Sequence, residues 1–157
     1  HAKAKEVYAH YNKMRKGMPS IDFTFQNEKG KTMRLSDFRG KALYIDLWAT
    51  WCGGCVAETP YMAKLYEHYK KDKRIQLISI SMDRDRSLWL KKNKEDKVTW
   101  PQFIEPDEFK SDLAKAFDIT FIPRFLLFDK DGKILSLNAP RPSSDDIIEW
   151  IEENISE

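Results

Sequence analysis

Cysteine is scarce: Cys52 and Cys55 are the only two in a chain of 157 residues. A small domain stapled by disulfides carries more of them, spread along its length. A bridge between these two would close too short a loop to add much stability. The pair is therefore not there to hold the fold together. Histidine is equally sparse, with only His1, His10 and His68. None stands at ligand spacing and there is no second Cys-x-x-Cys, so a four-ligand zinc centre is not expected. An excess of charge of one sign is missing too. Lys and Arg number 27 against 25 Asp and Glu, for a net charge of +2. The charges are interspersed, and Lys91-Lys92-Asn93-Lys94 reads as a solvated helix face rather than a nucleic-acid patch. No apolar run approaches the ~20 residues that span a bilayer, and the Lys-rich first stretch lacks the apolar core of a signal peptide. The sequence opens on His1 rather than Met. That reads as a tag remnant on a truncated chain, so the missing leader does not argue for the cytoplasm.

What is present suits one soluble globular domain: 41% hydrophobic and 33% charged residues. Residues 2–16 read as a helix, with Val7, Tyr8, Tyr11 and Met14 at helical spacing and Gly17 and Pro19 ending it. It is expected to be a linker from an upstream region, with the domain proper at 17–157. Phe23-Thr24-Phe25 and Met33-Arg34-Leu35 flank the turn residues Asn27 to Gly30 and predict a hairpin. Ala42 to Trp48 is almost continuously apolar, as a strand buried on both faces should be. After Cys55 a helix is expected to about Tyr69, with Met62, Leu65, Tyr66 and Tyr69 on one stripe. A second central strand follows from Arg74 to Met82. Strand, helix, strand is the unit of a parallel sheet.

Residues 83–118 read as mainly helical. Trp89 and Leu90 lie in one predicted helix; Phe109, Leu113, Ala116 and Phe117 form the stripe of another; Trp100 to Phe103 is a short extended piece between them. Phe125 to Phe128 and Ile134 to Leu137, joined through Asp131-Gly132, predict an antiparallel hairpin. A last helix is expected from about Ser144, with Asp145 and Asp146 in its first turn, where they suit the helix dipole.

The chemistry concentrates in Trp48-Ala49-Thr50-Trp51-Cys52-Gly53-Gly54-Cys55, between the buried strand and the helix. Free backbone N–H groups at a helix start favour negative charge. A thiolate there is stabilised and its pKa falls below the ~8.5 of a free cysteine. Cys52, nearest those groups, is the expected nucleophile. Cys55, one turn into the helix, is the expected resolving thiol that releases the partner from a mixed disulfide. The two glycines between them leave the sulfur open to a bulky partner. Asp46 interrupts the apolar strand; burial should raise its pKa and suit it to accept the Cys55 proton, the alternative being a carboxylate satisfied by a local hydrogen bond. Glu58, one turn beyond Cys55, is either functional or an exposed helix glutamate. Pro60 falls inside the helix and removes one backbone hydrogen bond. Trp48 is expected in the core and Trp51 in a docking rim beside the nucleophile.

Asp46, Trp48, Trp51, Cys52, Cys55 and Pro60 together resemble the thioredoxin superfamily. Within it, the chain is similar to the TlpA/ResA-like branch over roughly residues 17–155. The carriers are Gly17-Met18-Pro19-Ser20-Ile21-Asp22-Phe23, Leu35-Ser36-Asp37-Phe38-Arg39-Gly40-Lys41, and Glu58-Thr59-Pro60. The resemblance implies an α/β thioredoxin-like three-layer fold: a central mixed sheet flanked by helices, with an N-terminal hairpin and a helical insertion. It implies that Phe121-Ile122-Pro123 is the cis-proline segment, with Pro123 facing the active-site disulfide and the Ile122 backbone offering hydrogen bonds to an extended substrate. It implies a thiol-tuning part for Glu58. It further implies an extracytoplasmic, periplasmic protein, tethered to a membrane in its full-length form by a signal anchor or lipid outside this sequence. The Gly-Gly dipeptide departs from the common Gly-Pro and Glu-Pro forms.

The expected function is thiol–disulfide exchange with protein or small-molecule disulfides, as a reductant and a monomer, fed by an upstream electron donor. No cofactor beyond the Cys52–Cys55 disulfide is needed. A peroxiredoxin shares the fold but needs a proline and a threonine or serine upstream, where Ile45 and Ala49 stand. Copper-assembly modules on this fold carry Cys-x-x-x-Cys and a distal histidine, whereas no histidine follows His68. A redox-inert peptide-binding domain would have no use for two intact cysteines.

Overall fold

A computed structural model describes residues 16–156. The helix expected over residues 2–16 lies outside them, apart from Lys16. The described chain folds around a seven-stranded mixed sheet. Its strands are β1 (Thr24–Asn27), β2 (Thr32–Arg34), β3 (Ala42–Trp48), β4 (Ile75–Ser81), β5 (Gln102–Ile104), β6 (Arg124–Phe128) and β7 (Ile134–Ser136). Among the described residues the helices are α1 (Gly53–Tyr69), α2 (Arg86–Glu95), α3 (Asp112–Ala116) and α4 (Ile147–Ile155). The spatial order is β2-β1-β5-β4-β3-β6-β7. β3 pairs parallel with β4, and β4 with β5; β3–β6, β6–β7, β1–β2 and β1–β5 are antiparallel.

Side chains alternate across a strand, and the fully buried β3 feeds two cores. Leu43, Ile45 and Leu47 join Ile78, Ile80, Leu126 and Phe128 on one face, covered by Phe23, Leu113 and Phe117. Tyr44 joins Leu77, Phe125 and Leu127 on the other, under Met62, Leu65 and Tyr69 of α1 and Ile147 and Ile151 of α4. The sheet is thus covered on both faces, which gives the three expected layers. The hairpins form where expected. In the second, Asp129 Oδ1 accepts from the N–H groups of Asp131 and Lys133. Gly132 takes φ +81° there, and a Cβ on it would run into the Arg39 guanidinium. A glycine is required at that turn.

Two expectations are corrected. The second helix of the 83–118 stretch shrinks to the five residues of α3, preceded by a 3-10 turn over Glu108–Lys110. Ser111 is extended (φ −65°, ψ 159°) and its side chain accepts from Ala114 N–H, so it starts a new helix rather than continuing one. Glu108 stands at φ +54°, outside helical backbone. Second, Asp145 and Asp146 precede α4, which opens at Ile147. Ser144 N–H donates to Arg141 and Ile147 N–H to Ser144, so turns fill the residues before the helix.

Candidate active site

β3 ends at Trp48, and Ala49 to Trp51 carry the chain over the edge of the sheet to Cys52. Cys52 is the N-cap of α1: its backbone is extended (φ −99°, ψ 102°) and its Sγ accepts the Cys55 backbone N–H at 3.2 Å. Sulfur thus replaces the oxygen that a capping Ser or Asp would supply. Cys52 and Cys55 are joined by a disulfide, with Cα atoms 5.2 Å apart. Cys52 is partly exposed and Cys55 buried. Cys55 packs with Trp48, Trp89 and Ile104, and the exposed side of this cluster is closed by Cys52 and Ile122.

The Ile122–Pro123 bond is cis. The Ile122 carbonyl oxygen lies 3.8 Å from Cys52 Sγ. A Cβ on Gly54 would sit 3.7 Å from Pro123 Cδ, while one on Gly53 would meet open space. The proline segment therefore faces the disulfide from across the helix start. Trp51 and Phe121 flank the pair on the outside, 58% and 57% exposed, and the Arg124 guanidinium lies over the Phe121 ring. Trp48 is buried.

Two carboxyl groups, Asp46 on β3 and Glu58 on α1, act on each other inside the fold. Asp46 points to the same face of β3 as Tyr44 and Trp48 by strand alternation. It is only 7% exposed. Ser79 Oγ–H donates to its Oδ2 at 2.7 Å, while its Oδ1 has no protein partner. Burial pushes its pKa up to about 7; the Ser79 hydrogen bond pulls it back and the Glu58 charge pushes it further. Glu58 is not an exposed helix glutamate: it is buried at 6% exposure. A long-range clamp causes this. Ser143 donates its N–H to Oε1 (3.0 Å) and its Oγ–H to Oε2 (2.7 Å), and Arg141 approaches Oε2 at 4.0 Å. The structure thus brings together Cys52, Ile122, Pro123 and Trp51 at the surface, with Cys55, Asp46 and Glu58 buried.

Residues that pattern reading passes over complete the site. Asp83, 2% exposed beyond the end of β4, accepts from Thr50 N–H and from the hydroxyls of Thr50 and Ser81. It pins the turn that presents Trp51 and Cys52. An acid directly after an apolar strand, in Asp83-Arg84-Asp85, is its only signal in the sequence. Among the described residues, no group of three or more His, Cys, Asp or Glu side chains is placed to hold a metal. No helix there is long and apolar enough to cross a membrane.

The Redoxin family matches residues 15–148. The chain is 28% identical over 140 residues to the thiol-disulfide oxidoreductase ResA of Bacillus thuringiensis, covering 89% of this chain and 79% of that protein. A proposed thiol-disulfide oxidoreductase from Bacteroides vulgatus superposes with a TM-score of 0.83 at 39% identity, over 90% of this chain and 98% of that one. A thiol:disulfide interchange protein from a Bacteroides species does so with a TM-score of 0.78 at 31% identity, over 92% and 93%. With a sulfur capping the helix, a cis-proline opposite it and these relatives, the chain belongs to the Redoxin family, as a TlpA/ResA-like thiol–disulfide oxidoreductase of the thioredoxin superfamily.

Proposed function

We propose that this oxidoreductase works as a dithiol reductant in which Cys52 attacks, Cys55 resolves and Asp46 takes up the Cys55 proton. The observation that carries the reading is Cys52 Sγ accepting the Cys55 N–H at the helix start. That donor and the helix dipole favour a thiolate on Cys52. The Cys52 thiolate attacks one sulfur of a substrate disulfide, and the other sulfur leaves as a thiolate. Cys55 loses its proton to Asp46 and attacks Cys52 Sγ. The Cys52–Cys55 bond forms, the mixed disulfide breaks, and the substrate departs with two electrons. Asp46 suits its part because it is buried under α1, has one unpartnered oxygen, and holds its proton with a midpoint near neutrality.

Glu58 has both oxygens occupied by Ser143. It tunes the thiols through its charge and its held position. Substrates are proteins that offer an extended segment to the Ile122 backbone beside Pro123, with Trp51 and Phe121 as the apolar rim. An upstream dithiol returns the electrons. We place the protein outside the cytoplasm and tethered to a membrane, on its likeness to ResA, and propose that it acts as a monomer. Peroxidase and copper-assembly readings gain no support, since Ile45, Ala49 and the lack of histidine after His68 all speak against them.

Partner capture tests the reading. A Cys55→Ser protein incubated with disulfide-bearing substrate should accumulate a mixed disulfide on Cys52, located by peptide mass mapping. Capture through any other residue, or none, rejects the assignment.

A further inference from the structure

Asp46 and Ser79 stand opposite each other in the β3–β4 register. The Ser79 hydroxyl bonds in both directions. Its proton goes to Asp46 Oδ2 at 2.7 Å, and its oxygen accepts the Trp100 indole Nε1–H, also at 2.7 Å. An indole N–H can only donate, and a hydroxyl has one proton to give. With its oxygen turned to Trp100, Ser79 is left with Asp46 as the target of its O–H. The three groups are all buried, at 6%, 1% and 7% exposure for Trp100, Ser79 and Asp46. They form a one-way chain from indole to hydroxyl to carboxyl, and each dipole favours negative charge at its end.

Trp100 is held in place from several sides. The Ser79 N–H donates to the carbonyl of the next residue, Pro101, at 3.1 Å. Gln102 Nε2 donates to the Trp100 carbonyl at 3.3 Å. The indole packs against Tyr66 of α1, ring centroids 6.4 Å apart. The stretch between α2 and β5 therefore does more than cover the sheet: it delivers a donor to the buried carboxyl. The groups that set the charge balance around Asp46 are Glu58 from α1, Tyr44 from its own strand and Ser79 from β4. Of these, Glu58 opposes ionisation and the Ser79 chain supports it.

We infer that Trp100 is a positioning residue for proton transfer in this enzyme, acting on Asp46 through the Ser79 hydroxyl. The inference rests on Asp46 accepting the Cys55 proton, as proposed above. Loss of the indole donor frees Ser79 to rotate and weakens its bond to the carboxylate. The Asp46 midpoint should then rise by roughly half a pH unit, about threefold in proton affinity.

The test is a pH titration of the whole, oxidised protein by NMR. The Trp100 indole N–H resonance is identified by its loss in Trp100→Phe, and the Asp46 carboxyl is followed by its ¹³C shift. The Trp100 signal should move with the Asp46 midpoint in the wild type, and stop doing so in Ser79→Ala. In Trp100→Phe the Asp46 midpoint should rise and the exchange rate at pH 7 fall about twofold. A Trp100 resonance that stays flat through the Asp46 midpoint overturns the inference, and so does an unmoved midpoint in Trp100→Phe. Should that variant not fold, the wild-type and Ser79→Ala titrations decide. Asp46→Asn separates the two levels. A slowed variant with a flat Trp100 signal rejects this chain alone; an unslowed variant with a responsive signal rejects Asp46 as proton acceptor, and with it any bearing of Trp100 on exchange.

Discussion

The Cys55 backbone N–H donates to Cys52 Sγ across 3.2 Å, so the second cysteine supports the first through its backbone and not only through its sulfur. Replacing the Cys55 side chain leaves that donor in place. Cys55→Ser should keep Cys52 reactive toward alkylating agents near neutral pH, while turnover stops after one substrate. A thiol-alkylation pH profile checks this: the Cys52 midpoint should stay below the ~8.5 of a free thiol.

Asp46 gives a stability prediction with a definite sign. Its folded midpoint of about 7 lies above the ~3.9 of an unfolded chain. Its contribution favours folding below pH ~4 and is lost as pH rises through about 7, because the unfolded chain ionises first. Stability should therefore decline across that window, by up to about 4 kcal/mol from this group. Asp46→Asn should flatten the decline and unfold later than wild type at pH 8 in denaturant titrations. The same change should slow disulfide exchange at pH 7 by about tenfold or more.

Glu58→Gln removes the charge that pushes the Asp46 pKa up. The acid limb of the pH–rate profile should move to lower pH, the reverse of the Trp100→Phe effect. One hydrogen bond from Ser143 is weakened as well, at about 1 kcal/mol. Urea unfolding and a pH–rate series on the same preparation separate the two effects.

Asp83→Ala strips the acceptor from Thr50 and Ser81 and leaves buried donors unpaired. It should cost about 1–3 kcal/mol. Since Thr50 stands two residues before Cys52, the exchange rate should fall even in protein shown by circular dichroism to be fully folded.

Trp51→Ala alters an exposed side chain and should leave the unfolding midpoint unchanged. KM for protein disulfides should rise, while the rate with a small-molecule disulfide stays as it was. Steady-state kinetics with both substrate types check this.

Legibility in the sequence followed the range of the interactions. β3 was readable because its seven buried residues leave an apolar run broken only by Asp46, and α1 because its stripe repeats at helical spacing as far as Tyr69. Cys52 and Cys55 follow from what a helix start does to a thiol. The cis bond at Pro123 was visible only through family resemblance, since nothing local distinguishes one X-Pro bond from another. Long-range pairs stayed hidden. Glu58 looked as well suited to solvent as to burial because its partner, Ser143, lies 85 positions away. Asp83 and Thr50 are 33 apart. The helix expected around Phe109 to Phe117 failed for a local reason: the apolar spacing persists through a 3-10 turn, and Ser111 restarts the chain as a cap.

The two outer strands of the sheet, β2 and β7, have three residues each, and β7 already exchanges backbone bonds with Gly17 and Met18. Long bare borders invite other chains to add on and aggregate. Among the described residues, this sheet offers almost no such border. On the reading proposed above, an extended segment finds its backbone partner at Ile122 beside the disulfide instead, where docking leads directly to chemistry rather than to clumping.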